Sequence, residues 1–217
     1  MTEGLRIPFG LDRLPRNFVP GDMRVPSAVA GADKLRLNSE PVPADAMPLA
    51  TGDHTARITA ARDWMISLCG DYAPLRRQFI SSYLEFVTAH LVAHRSELAE
   101  HLRRYHGLYA PEDWTWSALR PLPRAWLPAG ERMLQAEIVF WDGARPIAVE
   151  LAARPTERQA ALLAAGIDVV RVDPPVLSGD PMQLAALLPA CFQYFWQSQT
   201  LPSSPFRRPI PQGLVTA

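Results

Sequence analysis

MLQAEIVFWDGARPIAVELAARPTERQAALLAAGIDVVRVD, residues 133–173, decides the fold. Ala136 to Trp141 is an apolar run broken only by Glu137, and the dipeptide Asp142-Gly143 after it favours a hairpin turn with positive φ. Ile147-Ala148-Val149-Glu150-Leu151 follows as a second apolar run, again with one acid. Pro155 suits the first turn of a helix, with Thr156 and Glu157 beside it. Ala161, Leu162 and Ala165 fall at helical spacing, and Gly166 ends the helix. Ile167 to Val172 is β-branched and bounded by Asp173-Pro174-Pro175, which predicts a third strand reached by a helical crossover and parallel to one of the first two. The expectation is an α/β unit: strand, hairpin, strand, helix, strand, in one mixed sheet.

Each of the first two strands carries one carboxylate in an apolar setting, where a lone charge is costly. Either Glu137 and Glu150 face water from a half-exposed sheet, or they converge on a cation. An acid on one strand, a hairpin, an acid on the next, then an apolar helix leading to a Gly-Ile-x-Val-Val-Arg-Val strand resembles the core of the restriction-endonuclease-like, or PD-(D/E)XK, nuclease superfamily. Residues from about 118 to 173 carry that resemblance.

The resemblance implies a fold and a chemistry. Glu137 matches the first acid and Glu150 the Glu of a Glu-x-Lys triplet. The pair would hold Mg²⁺, which polarises a phosphodiester and activates water. A preceding helix would add a third acid, with Glu85, Glu97 and Glu100 as candidates. Here the triplet is Glu150-Leu151-Ala152, with alanine in the lysine position, and the single lysine of the chain is Lys34, far upstream. Arg154, just past the second strand, and Arg158, in the first helical turn, are best placed to supply the missing charge. Arginine positions a phosphate well but is a poor proton shuttle. The favoured reading is therefore a noncatalytic or weakly active protein of this fold that binds nucleic acid or a protein partner. A Mg²⁺-dependent DNA nuclease using Glu137, Glu150 and a migrated arginine is the alternative, and an α/β interaction protein with no nucleic-acid role the third.

A chain of 217 residues, 48% hydrophobic and with formal net charge of zero, suffices for one domain with a real core plus extensions. No apolar run approaches the roughly 20 residues that span a bilayer, so no membrane contact is expected. MTEGLRIPFGLDRLPR lacks the apolar stretch of a secretory signal, which leads to the expectation of a cytoplasmic protein. Cys69 and Cys191 lie in apolar helical contexts and read as buried thiols. The neutral balance argues against tight nonspecific nucleic-acid binding but leaves local patches. Arg76-Arg77, Arg103-Arg104 and Arg120 with Arg124 are phosphate-contact candidates or, more commonly, a solvated face.

Residues 1–54 read as an extended, proline-rich arm. Its Leu5, Ile7, Phe9, Leu11, Leu14, Phe18 and Val19 are too apolar to rest in water, so the arm should dock on the body or on a partner. Residues 55–200 read as a single α/β domain with a helical layer at 55–106, a sheet core at 114–173 and a last helix at 180–198; residues 201–217 are a tail like the arm. In the helical layer, Ile58, Ala61, Trp64, Met65 and Leu68 recur at helical spacing until Gly70, and Pro74 starts a longer helix that runs to about Tyr105. His90, His94, Glu97 and His101 have spacing that could bind a transition metal, but His94 and His101 fall on the apolar seam, where histidine is usually a core residue. Trp114, Trp116 and Trp126 among prolines read as an irregular edge strand, its aromatics either filling the core or stacking bases beside Arg120 and Arg124. The last helix, with Met182, Leu184, Leu187, Leu188, Cys191, Phe192, Phe195 and Trp196, is broadly apolar and suits an oligomer interface or a landing place for the arm.

Overall fold

The structure, a computed structural model, describes residues 5–10, 27–30, 35–38, 54–103, 110–112, 115, 118–142, 144–180 and 182–187. In chain order the elements are β1 (Arg6–Pro8), β2 (Ser27–Ala30), β3 (Leu35–Asn38), α1 (His54–Ser67), α2 (Pro74–Ala93), α3 (Arg95–Leu102) and β4 (Leu122–Pro123). They continue with β5 (Trp126–Ala129), β6 (Arg132–Gln135), β7 (Ile138–Trp141), β8 (Pro146–Leu151), α4 (Glu157–Ala164), β9 (Asp168–Val172) and α5 (Met182–Leu187).

The decisive stretch folds as its pattern requires. β7 and β8 pair antiparallel with Ile138 opposite Val149, and β9 lies parallel to β8 with Glu150 opposite Arg171. β4 joins the other edge, giving a mixed four-stranded sheet in the order β4-β7-β8-β9. Asp142 closes the hairpin through its side chain, Oδ1 accepting from the backbone N–H of Ala144 and of Arg145 at 2.8 Å each. Thr156 caps α4, its hydroxyl accepting from Gln159 N at 3.1 Å, so Pro155 stands just before the helix rather than inside it. Gly166, at φ 76°, ends α4 by donating to Leu163 O while Ile167 N donates to Leu162 O. That pair of hydrogen bonds, with Leu162 and Ile167 buried in the same core, is a Schellman stop.

Alternation along the strands sends side chains to two cores. Ile138, Phe140, Ile147, Val149 and Leu151 join Phe79, Ile80, Tyr83 and Val87 of α2 on one side. Phe79, Tyr83 and Phe140 meet ring to ring, with centroids 5.1–6.4 Å apart, and Tyr83 OH donates to Leu119 O at 2.6 Å. Val139, Trp141 and Ala148 face the other way, onto Leu162 of α4, Leu127 of β5 and Ile7 and Phe9 of the arm.

Several elements depart from the sequence expectation. The arm is not simply extended: β1, β2 and β3 form a three-stranded antiparallel sheet, and Ile7 and Phe9 are buried in the second core. Leu11, Leu14, Phe18 and Val19 lie outside the described residues. The long helix stops at His94, whose backbone N–H and ring Nδ1 both lie within hydrogen-bond distance of His90 O, at 3.2 and 2.9 Å, and α3 restarts at Arg95. A side chain competing for a carbonyl of the helical ladder is a recognised cause of a break. Trp126–Ala129 and Arg132–Gln135 form a hairpin of their own, so the strand expected from Ala136 begins at Ile138. Trp114, Trp116, residues 188–217 and the side chain of His101 lie outside the described residues. Among the described residues no helix is long and apolar enough to cross a membrane.

Cys69 is fully buried at the end of α1, and burial pushes its thiol up to about 11 against the pull of Arg76, Arg77 and Arg124. The folded chain therefore holds this proton above the unfolded thiol value of about 8.5. Iodoacetamide at about pH 8 should label Cys69 in urea and spare it in the native protein, as read by peptide mass mapping that separates it from Cys191. Rapid native labelling of Cys69 would show instead that this corner opens readily.

Candidate functional site

The register places the two acids together. Continuing the β7–β8 pairing by one residue from Ile138 and Val149 sets Glu137 opposite Glu150, both pointing to the α4 side of the sheet. Glu150 is fully buried, and Glu137 is partly so. Two adjacent carboxylates away from water require counter-charge, and arginines provide it.

Arg158 comes from the first turn of α4, where the Thr156 cap fixes the direction in which the helix sets out. Its guanidinium forks across both acids: Nε donates to Glu150 Oε2 at 2.8 Å, and Nη2 lies 2.6 Å from Glu150 Oε2 and 2.7 Å from Glu137 Oε1. Arg76, in the first turn of α2, takes the remaining oxygen of Glu137 at 3.0 Å. The backbone N–H of Glu137 donates to Glu150 Oε1 at 3.3 Å. Each of the four carboxylate oxygens thus has a donor. Burial raises the Glu150 carboxyl above its ordinary value, and the hydrogen bonds and charge of Arg158 oppose that rise. Burial likewise disfavours the charged form of Arg158, but Glu150 and Glu137 outweigh it and hold the guanidinium above its usual value.

This arrangement bears on the Mg²⁺ that the resemblance implies. Mg²⁺ requires near-octahedral oxygen ligands at about 2.0–2.1 Å. Here the space between the acids is taken by a planar guanidinium, and no group of three or more His, Cys, Asp or Glu side chains suited to a metal occurs among the described residues. Glu85, Glu97 and Glu100, considered as a third acid, are exposed on α2 and α3. The residue α2 brings to the pair is a cation, Arg76, in place of that acid. As arranged, these side chains do not fit a metal ion.

The remaining candidates scatter. Arg154 is exposed beyond β8 and forms no ion pair among the described residues. Arg103 pairs with Glu100 on α3, and Arg104 lies outside the described residues. Arg120 is partly buried before β4, and burial pushes its guanidinium down to about 10. Arg124 occupies the turn between β4 and β5 with φ 53°, the one non-glycine residue with positive φ among the described residues. Its N–H donates to Glu137 O at 2.8 Å, so its backbone lies against the acid pair. The rings of His90 and His94 lie tilted against each other with centroids 4.5 Å apart at the end of α2, with His90 lowered by burial and by its neighbour.

Sequence reasoning missed the role of Arg76 as a partner of Glu137. The available signal was an arginine pair in the first turn of a helix that has no acid there, although negative charge is favoured at that end. Comparison with known protein families, curated proteins and solved structures finds no match to this chain.

Proposed function

We propose that this protein is a noncatalytic member of the restriction-endonuclease-like fold class that acts by binding nucleic acid on the face where Glu137 and Glu150 meet. The Arg158 guanidinium bridging both carboxylates carries this reading, because it occupies the position a metal would need and leaves the acids no oxygen without a donor. Ala152 in the lysine position agrees with it. Arg77 and Arg124, which lie with Arg76 near Cys69 at this end of the fold, supply the cations that phosphates require.

A second reading has one observation in its favour. Arg158 does reach both acids, as a migrated basic residue of a nuclease must, and a metal could enter if Arg158 released one of them.

The test is the purified full chain with duplex and single-stranded DNA in millimolar Mg²⁺ or Mn²⁺. Expected are binding that weakens as salt rises, no cleavage, and no metal-induced rise in melting temperature. Metal-dependent cleavage that is lost in Glu150→Gln would establish the nuclease reading. Failure to bind either nucleic acid would remove the nucleic-acid role altogether.

A further inference from the structure

The turn between α1 and α2 carries a ring that packing does not explain. Tyr72 is 98% exposed, whereas tyrosine ordinarily contributes a large buried area to a core or an interface. The turn beneath it is firmly held. Leu68, Cys69 and Ala73 are buried on either side, and Gly70 adopts φ 88°. A Cβ at Gly70 would stand 3.5 Å from Nη1 of Arg124, so the guanidinium lies close over the turn. Arg77 Nη2 donates to Gly70 O at 3.0 Å and to Asp71 O at 3.4 Å, tying the turn to the first turn of α2. Tyr72 is thus presented to solvent from an anchored platform.

The charges around that platform are uneven. Arg76 and Arg158 are absorbed by Glu137 and Glu150. Arg77 bonds backbone carbonyls and pairs with no carboxylate among the described residues. Arg124 is held at the turn by a backbone conformation that non-glycine residues rarely adopt, a feature that concentrates at functional sites. In the turn itself, the acid beside Arg77 and Arg124 is exposed Asp71.

An exposed aromatic on a turn that two guanidinium groups approach suits a ligand that offers flat faces joined by anions. Stacking needs an open base face, which a single strand offers and the interior of a duplex does not. We propose that the α1–α2 turn is a single-strand nucleic-acid contact, in which Tyr72 stacks on an unpaired base and Arg77 and Arg124 take the adjoining phosphates. The inference rests on the nucleic-acid reading above and adds to it the form of nucleic acid and the residues that select it.

The full chain is titrated into fluorescently labelled DNA of about 16 nucleotides, as a single strand and as its duplex, with binding read by anisotropy. The strand should bind more tightly than the duplex. Tyr72→Ala should weaken strand binding roughly tenfold and leave duplex binding unchanged, while Tyr72→Phe, which keeps the ring face, should bind as the wild type does. Arg124→Gln should flatten the dependence of strand affinity on salt. Because Tyr72 touches nothing it stabilises, its variants should keep the wild-type melting temperature. A strand bound equally by wild type and Tyr72→Ala overturns this inference and leaves the nucleic-acid reading standing. Absence of binding to strand and duplex alike overturns both, and leaves the exposed ring to a protein partner.

Discussion

Arg158→Ala should destabilise the fold by about 3–5 kcal/mol near neutral pH, because it strips a fully buried carboxylate of its counter-ion. Glu150 would keep one bond, from the N–H of Glu137, and would face the Glu137 carboxylate, which Arg76 would still pair. The pH dependence has a definite sign. Burial already raises Glu150 in the wild type, so the folded chain binds this proton more tightly than the unfolded chain does. Its ionised form therefore detracts from stability fully above the folded pKa, and not at all below the unfolded value of about 4.3. Removing Arg158 removes the main opposition to burial and moves the folded pKa higher still. The gap between variant and wild type should widen as pH rises through that range and narrow toward about pH 4.5, as measured by urea midpoints. Arg158→Ala combined with Glu150→Gln should recover most of the loss, since the buried group is then neutral. The variant also frees one oxygen on each of two neighbouring carboxylates, so Mg²⁺ or Mn²⁺ should raise its melting temperature and leave that of the wild type unchanged. An equal metal response in both proteins would mean that the guanidinium does not hold the site.

The sheet core was legible because its signals are local. Two apolar runs around Asp142, a capped and glycine-stopped helix and a β-branched strand are each written within a few residues, and β7, β8, α4 and β9 fall where they point. The acid pair was legible for the same reason: strand register follows from the hairpin, and it sets Glu137 beside Glu150. The identity of their cation was not. Convergence of a buried and a half-buried acid demands positive charge, and a metal and a guanidinium satisfy that demand equally until the reach of Arg158 and Arg76 is known. Arg76 is brought to Glu137 by the packing of α2 on the sheet, a contact between residues distant in sequence that no periodicity encodes. The break at His94 escaped notice because the apolar seam runs on through it while a side-chain bond to one carbonyl interrupts the backbone. The short strands β1 to β3 and the hairpin β5–β6 have three or four residues each, too few for alternation to stand out from a proline-rich background.

Phe9→Ala should cost about 3–5 kcal/mol, as expected for a phenylalanine removed from a packed interior rather than from an appendage. Phe9 is 1% exposed, and its ring meets Trp64 of α1 edge to face at 6.4 Å. Ile7 beside it is fully buried in the core that α4, β5 and the second face of the sheet share. Gly10 locks the end of the strand, donating to Pro123 O at 2.9 Å. At φ 83°, with Leu68 Cδ2 3.0 Å from where a Cβ would stand, that position has no room for a side chain. The arm thus spans from α1 to Pro123, the residue before the Arg124 turn, and its loss should loosen the segment whose backbone meets Glu137. Urea unfolding should therefore show a lower midpoint for Phe9→Ala, with Phe9→Leu falling between it and the wild type because leucine refills part of the cavity. Limited proteolysis should cut the variant near residue 10 faster than the wild type, since exposure there now follows the weakened docking. A midpoint change equivalent to less than about 1 kcal/mol would place Phe9 on the surface of the fold and detach the arm from the architecture that holds the acid pair.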